Sequence, residues 1–344
     1  IEPYGGGNFN HLEIARDADI PMGEFWTDAP KRYGWTSKLA ASAAHAHGRK
    51  FVGAEAFTAA PTSAWVSHPR SMKSQGDLAF TQGINRFIFH TFVHQPWEGV
   101  LPGMTMGPHG MQGNRNNTWF EMGSAWMTYI ARCQFLLQQG RASMDLCYLL
   151  SEDAPIGNSA PMREALEPAP PRGYDYDFIT PETLMAMSVR NGELVLPSGM
   201  TYRALVLTPS VGMRLEVVRK IAELISAGAA VVGPRPVRSP GLENYHEADR
   251  EVARLAPTIP ERTLPQTLKE IGLQPDALFT APGVEYIHRR ISEADVYFVT
   301  NQSGEAVSFD GDFRVSGREP ELWFPDTGQM STVPVYRTAP EGRT

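Results

Sequence analysis

Residues Phe51 to Ala59 read FVGAEAFTA: an apolar pair, a glycine, then one acidic side chain, Glu55, between two alanines and ahead of an aromatic and a hydroxyl. A short apolar run of this kind, bounded by polar segments, reads as a strand packed on both faces. An unpaired carboxylate inside such a strand costs several kcal/mol or takes up a proton. Glu55 therefore has either a fixed partner or a place at the strand's open end where it does chemistry. Which of these holds decides how the surrounding chain is read.

The same pattern recurs on either side. Four candidate strands, Ile1 to Tyr4, Ile20 to Trp26, Lys50 to Phe57 and Arg86 to Thr91, are spaced by helical stretches at Tyr33 to His47 and about Met72 to Gly83. This is the β/α alternation of a parallel sheet. A long Gly, Pro and Asn loop then leads to a helix expected over Trp119 to Gln139. Thr118 and Glu121 read as its capping box, Gly140 as its C-terminal glycine, and Trp119, Met122, Trp126, Ile130, Cys133 and Leu137 as its packing face. A second β/α region follows, with strands at Met144 to Leu150, Tyr202 to Leu207 and Ala229 to Gly233, and helices at PETLMAMSV and Met213 to Ala227. It carries no dinucleotide fingerprint, phosphate loop or nucleophile elbow, and so reads as a scaffold without an active site, with Cys147 buried in a strand. Beyond about Pro275 short alternating strands read as part of a β-sandwich.

The fold expected is therefore α/β, with three units. Residues 1–143 form part of a TIM-type β/α barrel, 144–274 a flavodoxin/glutaminase-like doubly wound domain, and 275–344 an incomplete β-sandwich segment. A chain of 344 residues is long for a single core. Its net charge of −7 and the lack of a basic stripe argue against a nucleic-acid surface. No run approaches about 18 apolar residues, so no membrane span is expected. The two cysteines, Cys133 and Cys147, lie in apolar stretches without metal-site spacing and read as buried thiols.

In a β/α barrel the catalytic groups sit at the C-terminal ends of the strands. Glu2 lies in the first candidate strand, Glu24, Trp26 and Asp28 end the second, Glu55, Phe57 and Thr58 the third, and His90, His94, Gln95 and Trp97 the fourth. Carboxylates interleaved with aromatic rings suit a sugar site: acids to move protons, ring faces to stack on pyranose C–H surfaces. Glu55 and Glu24 are the catalytic candidates, since acids at matching depth on neighbouring strands are hard to explain structurally; pairing with Arg16, Arg49 or Arg86 is the structural alternative. Glu2, Trp26, His94, Gln95 and Trp97 are the substrate-binding candidates. His90 reads equally well as a core histidine. His45 and His47 read as contacts of a helix C-terminus, and Asn114 to Asn117 as either a hydroxyl-binding loop or a polar turn.

The stretches ADIPMGEFW, FVGAEAFTA, RFIFHTFVHQPW and NNTWFEMGSAWMTYIARCQFLLQQG, in that order, resemble the glycoside hydrolase family 106 α-L-rhamnosidases. The resemblance implies an exo-acting, inverting hydrolase that removes terminal α-L-rhamnose from an oligosaccharide or glycoside, with calcium near the sugar hydroxyls. It implies general-base work for Glu55 and an active-site role of unspecified kind for Glu24, with the general acid on an earlier strand, upstream of residue 1. Four strands do not close an eight-stranded barrel. The chain is thus expected to be a fragment, inactive alone, of a periplasmic or secreted bacterial enzyme. Two rival readings stay open: a retaining exo-glycosidase of the β-galactosidase type, and a non-catalytic carbohydrate-binding or assembly protein.

Overall fold

The computed structural model describes residues 10–27, 34–150, 163–210, 212–339 and 342–344. The strand expected at Ile1 to Tyr4, with Glu2, and the candidate Asp28 lie outside the described residues. The first unit alternates as the pattern predicts: α1 (His11–Arg16), β1 (Met22–Trp26), α2 (Gly34–Ala46), β2 (Gly53–Thr58), α3 (Pro69–Thr81) and β3 (Arg86–Phe89). The strands form a parallel sheet in the order β1-β2-β3. Strand alternation sorts their side chains. Phe25, Ala54, Ala56, Phe87 and Phe89 share the face that the helices cover, where Phe80 of α3 stacks on Phe87 with ring centroids 4.5 Å apart. Glu24, Glu55 and Ile88 share the opposite face, and Ile88 is exposed there.

The expected capping box at Thr118 and Glu121 does not form. Glu121–Gly123 make a 3₁₀ turn, and α4 (Ser124–Leu137) starts at Gly123 without a side-chain cap. Trp119 is fixed first: its indole N–H donates to the Ser67 carbonyl at 2.8 Å and its ring meets Trp126 edge-on, so the chain is tethered before it can coil. Met122, expected on the packing face, is 77% exposed, whereas Trp126, Ile130, Cys133 and Leu137 are buried. Gly140 takes the left-handed conformation expected of it (φ 58°), two residues beyond the cap residue Gln138.

After a two-residue strand β4 (Arg141–Ala142), four parallel strands form a second sheet: β5 (Leu146–Leu149), β6 (Tyr176–Ile179), β10 (Ala204–Leu207) and β11 (Val231–Val232), in the order β11-β10-β5-β6. Strand β6 and the small antiparallel sheet β7 (Ser188–Arg190), β8 (Glu193–Val195) and β9 (Thr201–Tyr202) are not expected from the sequence; the predicted helix PETLMAMSV stops early, as α5 (Pro181–Met185). Leu146, Tyr148, Phe178, Ala204 and Val206 of the second sheet pack with Leu12, Leu39 and Ala43 of α1 and α2 and with Leu264 and Leu268 of α8 (Leu264–Glu270). Cys147, Leu149, Ile179, Leu205 and Leu207 pack with α6 (Leu215–Ser226) and with Val252 of α7 (Glu247–Leu255). Helices thus cover both faces, and the second core is continuous with the one around Phe25, Phe57 and Phe87.

The remaining strands are β12 (Ala277–Phe279), β13 (Val284–Ile291), β14 (Ala294–Asn301), β15 (Gly311–Phe313), β16 (Glu321–Phe324) and β17 (Gln329–Thr332). They make three separate antiparallel ladders, β14-β13-β4, β12-β15 and β16-β17, in place of the expected β-sandwich segment. Polar bonds tie the first two to each other and to the second sheet: His288 lies between Asp276 and Asp295, each 2.9 Å from a ring nitrogen, and Arg314 bonds Asp145 at 2.7 Å.

Both thiols are buried, and burial pushes the Cys133 thiol up to about 12 and Cys147 well above the ordinary cysteine range. A thiol-reactive dye added to the native chain is expected to label neither residue on the timescale on which it labels both in denaturant; rapid native labelling of Cys147 would contradict this packing.

Candidate active site

Register decides the centre of the site. In the β1–β2 pair Glu24 stands opposite Glu55, and partners across a parallel ladder point to the same face. The two carboxylates therefore lie side by side on the face opposite the aromatic core, Glu24 buried and Glu55 half-buried. One residue later the register slips: Phe25 pairs with Ala56, but Trp26 pairs with Thr58, leaving Phe57 as a bulge with φ 62°. Strict alternation would put Phe57 on the same face as Glu55. The bulge turns it into the core instead, where it is 0% exposed and its ring lies 4.8 Å from Phe25, 5.4 Å from Phe87 and 5.2 Å from Trp126. The same slip lets the Thr58 hydroxyl donate to Glu55 Oε1. A left-handed, bulky residue is a strained choice, and bulges that re-aim side chains recur beside active sites.

Further groups complete the centre. The Trp26 indole N–H donates to Glu24 Oε2 at 3.0 Å, and the His109 ring packs edge-on against the Trp26 ring at 5.7 Å. His90 Nδ1 stands 3.9 Å from Glu55 Oε1. Just after it, Thr91 Oγ1, Gln112 Oε1 and Asn114 Nδ2 are buried without a protein hydrogen-bond partner, which is unusual for polar atoms in a folded interior. Of the arginines weighed as alternative partners, Arg16 bonds Glu13 and Asp17, and Arg86 lies over the Phe51 ring.

The structure thus gathers Glu24, Glu55, Trp26, Thr58 and His90. Gln95 instead staples the loop after β3. It is buried, its Nε2 donates to the Met104 carbonyl at 2.6 Å and its Oε1 accepts the Met104 N–H at 2.9 Å. His94 is exposed on that loop, and Trp97 is 60% exposed, its carbonyl accepting from Arg115. Asn114 and Asn116 form a polar turn, with the Asn116 N–H donating to Asn114 Oδ1 at 2.9 Å. His109 has no sequence signal, because nothing in a Gly- and Pro-rich loop marks one residue as folding back.

The other place where an α/β sheet takes a ligand is the carboxyl end of the strands where the order reverses, here between β5 and β10. Leu149, Leu150, Met213 and Val217 fill that crevice and leave about 10 Å³, room for one water. Among the described residues the acid pair on β1 and β2 is the better-built site.

Known proteins resemble the chain over most of its length. A protein of Formosa agariphila, whose name assigns it provisionally to the β-glucuronidases, is 38% identical to the chain over 353 residues. That match covers all of this chain and 30% of the relative. The solved structure of a rhamnosidase from Novosphingobium sp. PP1Y superimposes with a TM-score of 0.85 at 33% identity, covering 94% of this chain and 33% of that one. The chain therefore spans about a third of the length of either protein. The family model described as α-L-rhamnosidase, glycoside hydrolase 106, matches residues 7–338, and the chain belongs to that family.

Proposed function

We propose that the chain carries part of the active site of an inverting α-L-rhamnosidase, in which Glu55 is the general base that activates water and Glu24 a second acid of the same centre. On this reading the β1-β2-β3 sheet is a segment of a TIM-type β/α barrel belonging to a longer protein. Residues 144–274 are its flavodoxin/glutaminase-like doubly wound domain, and 275–344 its β-rich end. One observation carries the reading: Glu24 and Glu55 are register partners on the face of a parallel sheet opposite its aromatic core, next to a bulge that turns Phe57 away and gives Glu55 its hydroxyl partner.

Inversion needs the acid and the base about 6.5–9.5 Å apart, with water between the base and the sugar. Adjacent strands lie only about 4.8 Å apart. Glu24 thus stands beside Glu55 rather than across the sugar from it, and the acid that protonates the leaving oxygen comes from outside the described residues. The Trp26 hydrogen bond fixes one Glu24 oxygen, and the Thr58 hydroxyl fixes one Glu55 oxygen. Calcium takes six to eight oxygen ligands. Among the described residues no group of three His, Cys, Asp or Glu side chains is placed to hold a metal.

The β-glucuronidase name of the relative raises a second substrate, a uronide, whose carboxylate a guanidinium would hold. Arg86 shares the acid face, but the register puts it at the N-terminal end of β3, stacked on Phe51, away from the strand ends where barrel substrates bind. The family match favours rhamnose. The test is a panel of p-nitrophenyl glycosides given to the full-length protein, with and without chelator. Release from the α-L-rhamnoside and not from the β-D-glucuronide or β-D-galactoside is expected. Release from the glucuronide alone would overturn the substrate, and release from none would favour a binding protein. Activity lost to chelator and restored by Ca²⁺ would establish the metal requirement that the resemblance implies.

A further inference from the structure

Helix α2 touches a strand at the end of each of two sheets, as the described residues form them. At one end the Thr36 hydroxyl accepts the Glu24 N–H at 2.9 Å and donates to the Glu24 carbonyl at 3.0 Å. These groups point away from β2, since the bonds between the strands fall at the odd positions, Gly53 N–H to the Pro21 carbonyl and Thr27 N–H to the Thr58 carbonyl. The contact is backbone against backbone: a Cβ on Gly23 would lie 2.6 Å from the Thr36 carbonyl carbon and oxygen, so only glycine allows it. Along its length α2 covers β6, the edge strand of the second sheet. Lys38, Ser42 and His45, spaced i, i+4 and i+7, form one face of the helix. Lys38 Nζ meets Asp175 at 2.8 Å, and His45 Nδ1 meets Asp177 at 3.0 Å. The Ser42 hydroxyl donates to the Lys38 carbonyl at 2.7 Å, lies 3.3 Å from Asp177 Oδ1 and accepts the Phe178 N–H at 2.9 Å, and Tyr202 donates to Asp177 Oδ2 at 3.0 Å.

Asp177 is wholly buried, and Lys38 and His45 are nearly so. An apolar face would let the helix slide or roll with little change in energy. Buried ion pairs do not, because any shift leaves a charge unpaired in the interior. Burial alone would push the Asp177 carboxyl up, but the His45 ring, with help from Lys38 and Tyr202, holds it below the ordinary carboxylate range. The helix is therefore registered against β6, and two residues before Lys38 it grips the backbone of Glu24.

We propose that the second sheet positions the acid pair through this helix: Asp177 anchors α2, and Thr36 transmits that position to Glu24. Both are positioning residues, and the second sheet becomes part of the catalytic machinery. The inference rests on the acid-pair reading and is tested separately from it.

The experiment uses the full-length protein with Asp177→Asn and, because the buried substitution risks misfolding, Thr36→Val, which leaves the interface between α2 and β6 intact and removes only the last link. Each is expected to lower kcat by about 10- to 100-fold, the cost of misplacing a reacting group by about 1 Å, with KM within about twofold. Each is also expected to speed amide exchange in residues 22–26 relative to 86–89. A folded Asp177→Asn or Thr36→Val protein with unchanged kcat and unchanged exchange over 22–26 would overturn the proposal. Glu24→Gln distinguishes the two claims. Normal turnover in that variant would remove Glu24 from the reaction, while the exchange measurement would still report whether the second sheet holds β1.

Discussion

Glu55→Gln in the full-length enzyme is expected to lower turnover by about 10² to 10⁴, the usual worth of a positioned general base, while the fold is retained. The replacement is nearly isosteric, and an amide oxygen still accepts the Thr58 hydroxyl that now binds Glu55 Oε1. What disappears is the ability to take a proton from water. Because Glu55 is only partly buried and lies on the face opposite the aromatic core, the core packing is retained. The loss should therefore appear in kcat, with KM near that of the parent and an unchanged unfolding midpoint. Turnover within about threefold of the parent would remove Glu55 from the role of base and leave Glu24 as the candidate.

Phe57→Ala is expected to destabilise the protein by about 3–5 kcal/mol, the range for emptying a buried aromatic site. Phe57 is wholly buried and lies against Phe25, Phe87, Phe89 and Trp126. Collapse cannot fill the gap cheaply. Gly76 of α3 lies against the ring: a Cβ there would meet the Phe57 ring at 3.0 Å, so the helix is already seated on it. Alanine inherits the left-handed backbone of the bulge without the packing that holds it there, and the strand can relax toward plain alternation. Urea unfolding of the 344-residue chain, followed by the signal of its buried aromatic residues, measures the effect. A midpoint unchanged from the parent would show that the bulge does not depend on this core.

The first sheet is legible because its strands are short apolar runs between Ala-rich or amphipathic helices, and the acid pair because its residues break those runs at matching depth. The turn that makes the site is not. Whether Phe57 points with Glu55 or against it depends on one bulge set by packing with Phe25 and Trp126, which no local pattern shows. Strand β6 is hidden by Asp175 and Asp177, which make YDYDFI look like loop; their partners Lys38 and His45 lie over 130 residues away. His45 accordingly reads as a helix-end contact, whereas its Nδ1 lies 3.0 Å from the buried Asp177 carboxylate. The hairpin between β7 and β8 does carry a local signal: Asn191 and Gly192 both have positive φ, 51° and 79°, the Asn-Gly turn that joins tightly twisted strands. Glu121 misleads for the opposite reason, since a capping sequence is present but Trp119 is committed elsewhere.

In the proposed mechanism Glu55 activates water for direct attack on the sugar. Proton NMR of the first rhamnose released from an aryl α-L-rhamnoside by the full-length enzyme, recorded before mutarotation, tests it most directly. Direct attack by water activated by Glu55 gives the β anomer first. The α anomer appearing first would mean that a carboxylate of this site attacks the sugar itself, and would move the protein to the retaining alternative.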